Sequence, residues 1–111
     1  MRPETRRFAR TPVSLPVSFA VFDDPPAPCE ANDIGGGGMR IALEREYDPG
    51  TLMIVRFRLP GGEREIVARG KVVMSFYNGQ EKRYMHGLAF TQIDPADQQS
   101  IVRFVEAAIA R

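Results

Sequence analysis

Apolar and polar residues alternate one for one through most of this chain, and turn-forming residues interrupt the alternation at short intervals. A period of two puts every second side chain on one face, which marks half-buried strands and excludes long helices from those stretches. Val13, Leu15, Val17, Phe19 and Val21 alternate with Ser14, Pro16, Ser18 and Ala20. Pro16 cannot donate to a ladder, so the pattern predicts an edge strand or a bulge there. Cys29 to Ile34 reads as a short strand running into Gly35-Gly36-Gly37-Gly38, after which Met39, Ile41 and Leu43 alternate with Arg40 and Ala42. Within Thr51 to Leu59, Met53, Val55, Phe57 and Leu59 share one face and Arg56 and Arg58 the other. Within Glu63 to Met74, Ile66, Ala68, Val72 and Met74 alternate with Glu65, Arg69 and Lys71, and Arg83 to Thr91 is the last strand.

The interruptions have turn chemistry. Asp23 to Pro28 reads DDPPAP, Asp48-Pro49-Gly50 and Pro60-Gly61-Gly62 follow, and Asn78-Gly79 predicts a type I′ hairpin. Near the end the period changes. Ile101, Phe104, Val105, Ala108 and Ile109 recur at helical spacing. Asp94 can cap the N-terminus, Pro95 suits the first helical position, and Asp97 complements the dipole. A helix over 95–110 is predicted, with its apolar stripe covering the face or open end of the strands. About six short antiparallel strands and one terminal helix predict a mainly β fold, a small antiparallel β-barrel. At 111 residues the chain fits one domain able to bury a core of its own.

Net charge is only +1, which argues against a diffuse nucleic-acid or membrane-surface binder. The average conceals an asymmetry. Arg2, Arg6, Arg7 and Arg10 face only Glu4 in the first ten residues, a local +3 that leaves −2 for the rest. Residues 1–12 carry no apolar period and read as a flexible basic arm ahead of a barrel at 13–111. Arg6 and Arg10 lie on one side of either a helix or an extended segment, roughly 13 Å apart in the latter. A guanidinium can grip a phosphate or the O6/N7 edge of guanine with two parallel hydrogen bonds.

Several chemistries are excluded. Cys29 is alone, so no internal disulfide forms, and with the single His86 it cannot build a structural zinc site. A Cys29–His86 nucleophile pair has no supporting pattern, the carboxylates are scattered, and no enzyme activity is expected. The four glycines are not followed by the Lys-Ser/Thr pair of a P-loop, and a strand rather than a helix comes after them. They read as an inter-strand turn, or as backbone that must take positive φ, approach something closely or present N–H groups to an anion. A barrel for single-stranded nucleic acid would need a basic groove with stacking aromatics, whereas Tyr47, Tyr77 and Tyr84 are scattered over an acidic body. No apolar run approaches a membrane span and no signal peptide is apparent, so a cytoplasmic location is expected.

Arg6-x-x-x-Arg10, a strand, and then Asp33-Ile34-Gly35-Gly36-Gly37-Gly38 resemble the PilZ domain family, whose signature is RxxxR followed by D/NxSxxG. Ala68 to Phe76 resembles that family's central strand, His86-Gly87-Leu88-Ala89-Phe90 its late strand, and Ile93 onward its terminal helix. The resemblance implies a six-stranded antiparallel barrel with a C-terminal α-helix, and a receptor for cyclic di-GMP, held as a ligand with no cofactor. It also implies roles. Arg6 and Arg10 would grip guanine edges and phosphates, with Arg7 adding phosphate contact or stacking. Asp33 would accept from guanine N1 and N2, and Gly38 would shape the turn. Gly35 stands at the family's serine position, so one hydroxyl is missing, a loss of up to about tenfold in affinity. On this reading the ligand pins the arm to the barrel and the signal passes to an effector protein, with oligomeric state left open. The alternative is a degenerate PilZ-like interaction module that does not bind the ligand.

Overall fold

The computed structural model describes residues 8–110. Six strands, β1 (Arg10–Ala20), β2 (Ala27–Gly35), β3 (Gly38–Leu43), β4 (Leu52–Phe57), β5 (Ile66–Asn78) and β6 (Arg83–Ile93), precede one helix, α1 (Pro95–Ile109). All neighbouring strands are antiparallel, and they close in the order β1-β2-β3-β6-β5-β4. Closure leaves no strand at an edge, so Pro16 lies in a paired strand next to a register shift between Pro12 and Leu15. β1 opens at Arg10, three residues before Val13. Arg10 therefore belongs to the barrel wall, because it pairs opposite Gly35.

The alternating apolar residues converge inside. Ile34, Met39, Ile41, Met53, Val55, Val72 and Leu88 are all essentially inaccessible. Each such burial is worth roughly 1.5–3 kcal/mol against leaving the side chain exposed. Ile101 and Val105 of α1 join the same cluster, whereas Ile109 at the end of the predicted stripe is exposed. The helix packs on β1 and β2, and Gln98 Nε2 donates to the Gly36 carbonyl at 3.0 Å. The stripe thus covers the barrel end that holds the β2–β3 turn. Asp94 caps α1 by accepting from the Ala96 N–H at 2.8 Å, and Pro95 lies in the first turn.

Two expectations need correction. Asn78-Gly79 is not a two-residue type I′ turn. The β5–β6 loop runs over 79–82, and its left-handed residue is Lys82, with φ 56°. The Asn78 side chain explains this, because Oδ1 accepts from the N–H groups of Gln80 and Glu81 and draws the loop out to four residues. Met74 is not on the inner face. A register shift between Val72 and Met74 turns it outward, where it is 41% exposed. The other turns follow their composition. Gly61 takes φ 78° behind Pro60, and the Gly62 N–H returns to the Leu59 carbonyl at 2.8 Å, the arrangement of a type II turn.

Candidate functional site

Asp33 and Arg10 come together from neighbouring strands. Arg10 Nε donates to Asp33 Oδ1 at 2.6 Å, with both side chains about three-quarters buried (22% and 27% exposed). The sequence separates them by 23 positions, and the β1–β2 pairing brings them side by side. Both point outward. Ile34 and Ala31 fill the core, and the shift between Ala31 and Asp33 leaves Asp33 on the outer face opposite Pro12. A charge-assisted bond of this kind contributes roughly 1.5–3 kcal/mol. It engages Nε only. Among the described residues the Nη1–Nη2 fork of Arg10 has no partner, which leaves it available as a bidentate donor. Arg6 and Arg7 lie outside the described residues.

The glycines are required by close approach, not by a left-handed backbone. None of Gly35, Gly36, Gly37 and Gly38 takes the positive φ seen at Gly50 and Gly61. A Cβ on Gly38 would lie 2.0 Å from the Leu88 carbonyl oxygen, because β3 and β6 converge there. A Cβ on Gly35 would lie 2.6 Å from the Ala9 carbonyl oxygen and 2.8 Å from Arg10 Cγ. The space a serine side chain would enter is therefore filled by the chain leading into β1. Gly36 and Gly37 form the turn itself, and the Phe8 ring lies over both, meeting Val102 of α1 above Gly36. Phe8 went unrecognised in the sequence because it interrupts a run of arginines. The one signal it leaves is an aromatic residue set inside the arginine cluster.

Neither Cys29 nor His86 belongs to this site. Burial pushes the Cys29 thiol up to about 12, so it stays protonated at neutral pH. His86 is fully buried, accepts from the Tyr47 N–H at Nε2 (2.9 Å) and meets the Tyr84 carbonyl through Nδ1 (3.0 Å). Those partners fix a neutral ring protonated at Nδ1. Its pKa is lowered by burial, against weaker opposing effects of the Tyr84 carbonyl and the Glu46 charge. Through Tyr47, which also meets Phe19 edge to face, His86 holds the β3–β4 loop across the other end of the barrel. A groove of 910 Å³ at that end, lined by Phe19, Cys29, Arg45, Tyr47 and Arg83 among others, contains none of the expected site residues. No group of three or more His, Cys, Asp or Glu among the described residues could hold a metal ion, and no described helix is long and apolar enough to cross a membrane.

A closed barrel capped by one helix, with an arginine at the head of β1 locked to an aspartate ahead of a glycine turn, defines a class. The PilZ domain family matches residues 4–107, and the chain belongs to that family. The fold is similar to that of the Bacillus subtilis inhibitor of motility MotI/DgrA, at 21% identity and a TM-score of 0.88 over 99% of this chain. The chain spans about half (54%) of that protein. It is also similar to the K. pneumonia MrkH–c-di-GMP complex (15% identity, TM-score 0.75, 96% of this chain and 53% of that one). The PilZ domain of Escherichia coli YcgR with c-di-GMP has 14% identity and a TM-score of 0.69, over 94% of this chain and 91% of that one. No curated protein matches the sequence.

Proposed function

We propose that this chain is a cyclic di-GMP receptor that relays ligand occupancy to a protein partner. The observation that carries the reading is the Arg10–Asp33 pair, because it joins the two halves of the family signature at one outward-facing spot. Solved relatives in the same fold hold c-di-GMP, as the MrkH and YcgR complexes do. In this reading Arg10 offers its open fork to a phosphate or to a guanine O6/N7 edge, and Asp33 uses its second oxygen to accept from guanine N1 and N2. Arg6 and Arg7 add positive charge for the ligand's phosphates. Gly35 and Gly38 shape the site from behind, Gly35 by making room for the chain that enters β1 and Gly38 by letting β3 lie close against β6. In this reading the role is recognition and relay. The relay surface is the arm and the barrel face beside it, acting on an effector protein or a second copy in the cytoplasm.

Titration calorimetry with cyclic di-GMP tests the reading. Saturable binding at micromolar affinity or tighter is expected. Absence of heat, together with unchanged amide chemical shifts at high ligand concentration, would replace the receptor with a non-binding interaction module.

A further inference from the structure

Arg40 stands beside Asp33, and the family signature leaves it without a role. β3 places it directly opposite Asp33 on one side and Gly87 on the other. Its neighbours Met39 and Ile41 are buried in the core, so Arg40 projects from the outer face, the same face as Asp33 and Arg10. Among the described residues its side chain makes no hydrogen bond and no ion pair, although Asp33 stands next to it. Asp33 is engaged by Arg10 instead. Asp33 therefore has an arginine on either side of it, one bonded and one paired across the strands, and the three side chains together carry a net positive charge.

The surroundings direct that charge. Gly87 has no side chain, and the room above it is taken by Met74, whose Cγ lies 2.9 Å from where a Gly87 Cβ would stand. Met74 and Val73 thus cover Gly87 on the β6 side of Arg40, and Asp33 stands on its other side. Paired residues on adjacent strands lie about 5 Å apart. Arg10 stands opposite Gly35, two residues along β2 from Asp33. Two strand spacings and that offset put the Cα atoms of Arg10 and Arg40 about 12 Å apart. A cyclic dinucleotide carries its two phosphates on opposite sides of one ring. One carboxylate reading a guanine edge, with a guanidinium on either side of it, matches that distribution.

We infer that Arg40 is an additional binding residue of this site, contacting the phosphate of the cyclic dinucleotide on the β3 side of Asp33 while Arg10 serves the β1 side. The inference rests on the receptor reading above, and it assigns a contact that RxxxR and the aspartate–glycine motif do not contain.

The test is calorimetry with cyclic di-GMP at several salt concentrations. It uses the wild-type chain, Arg40→Ala, Arg40→Lys and, as a charge control, Arg83→Ala at the opposite end of the barrel. Arg40→Ala is expected to weaken binding roughly 5- to 30-fold and to flatten the dependence of affinity on salt, in keeping with a lost charge-assisted contact. Arg40→Lys should fall in between, because it keeps the charge and loses the fork. Arg83→Ala should match wild type, and melting temperatures should agree throughout. Should Arg40→Ala fail to fold, Arg40→Gln takes its place, since it keeps much of the stem. Wild-type affinity in the Arg40 variants, with binding intact, overturns the inference and leaves the receptor reading standing. Equal weakening by Arg83→Ala also overturns it, because the effect is then only that of net charge. No binding by the wild-type chain overturns both.

Discussion

Arg10 Nε lies 2.6 Å from Asp33 Oδ1, so the arginine that begins β1 is anchored by the carboxylate that precedes the glycine turn. The pair organises the site before any ligand arrives. Asp33 spends one oxygen on the anchor and keeps the other. Arg10 spends Nε and keeps its fork.

Removal of either partner should therefore be felt twice. Arg10→Ala and Asp33→Ala are each expected to cost about 1–3 kcal/mol of stability, and a double-mutant cycle should return a coupling of about 1 kcal/mol or more. Both should also weaken cyclic di-GMP binding by more than tenfold. Urea denaturation with m-values compared provides the first measurement and calorimetry the second. A coupling near zero would make the pair an incidental surface contact.

Gly35→Ser brings the family's serine into a space occupied by Ala9 and Arg10. Its Cβ would meet the Ala9 carbonyl at 2.6 Å, so the segment entering β1 must move. Arg10 would lose its geometry on Asp33. The restored hydroxyl is worth roughly 0.5–1.5 kcal/mol, less than the anchored contact it disturbs. Weaker, not stronger, ligand binding is expected by calorimetry. A gain in affinity would mean that the segment rearranges freely when ligand binds.

Much of this architecture was legible in the residues because burial follows the period. The alternation in Thr51 to Leu59 anticipated Met53, Val55, Phe57 and Leu59 as inner residues, and all four are buried. Asp94 and Pro95 marked the helix start to the residue. The reading failed where a bulge or a side-chain hydrogen bond overrides local preference. Met74 turns outward at a register shift, and Asn78 caps its own loop. Neither leaves a trace in periodicity. At the site, the family resemblance pointed to Arg10 and Asp33, but their direct bond depends on β1 opening at Arg10, three residues before Val13. The reason for Gly35 was invisible too, since it lies in the position of Ala9 and not in any conformational demand at the glycine.

Gly38→Ala should be the most damaging of the single-methyl additions in the turn. The new Cβ would stand 2.0 Å from the Leu88 carbonyl oxygen, and the two paired strands fix both positions, so no rotamer change can relieve the clash. Overpacking of this kind typically costs 1–3 kcal/mol, and the backbone contact puts this case at roughly 3 kcal/mol or beyond. Gly37→Ala, whose nearest contact is the Phe8 ring at 3.2 Å, should cost far less. The difference in urea midpoint between the two variants measures the effect. Equal midpoints would show that β3 and β6 can separate at Gly38 without penalty.

His86 should make the fold sensitive to mild acid. Burial lowers its pKa in the folded protein, while the unfolded chain has the ordinary value near 6.5. Below that value the unfolded state binds more protons than the native state, so stability rises with pH across this window. The contribution is complete above about pH 7 and is lost as the pH falls through the unfolded pKa towards the lower folded one. The slope approaches at most about 1.4 kcal/mol per pH unit, the limit for one proton. Protonation at Nε2 would remove the acceptor for the Tyr47 N–H and release the β3–β4 loop first. Thermal melting should therefore shift downward between pH 7.5 and 5.5 in the wild type. In His86→Gln, whose amide can accept from Tyr47 without titrating, the curve should be flatter. Parallel pH profiles for the two proteins would assign the acid sensitivity to the surface carboxylates instead.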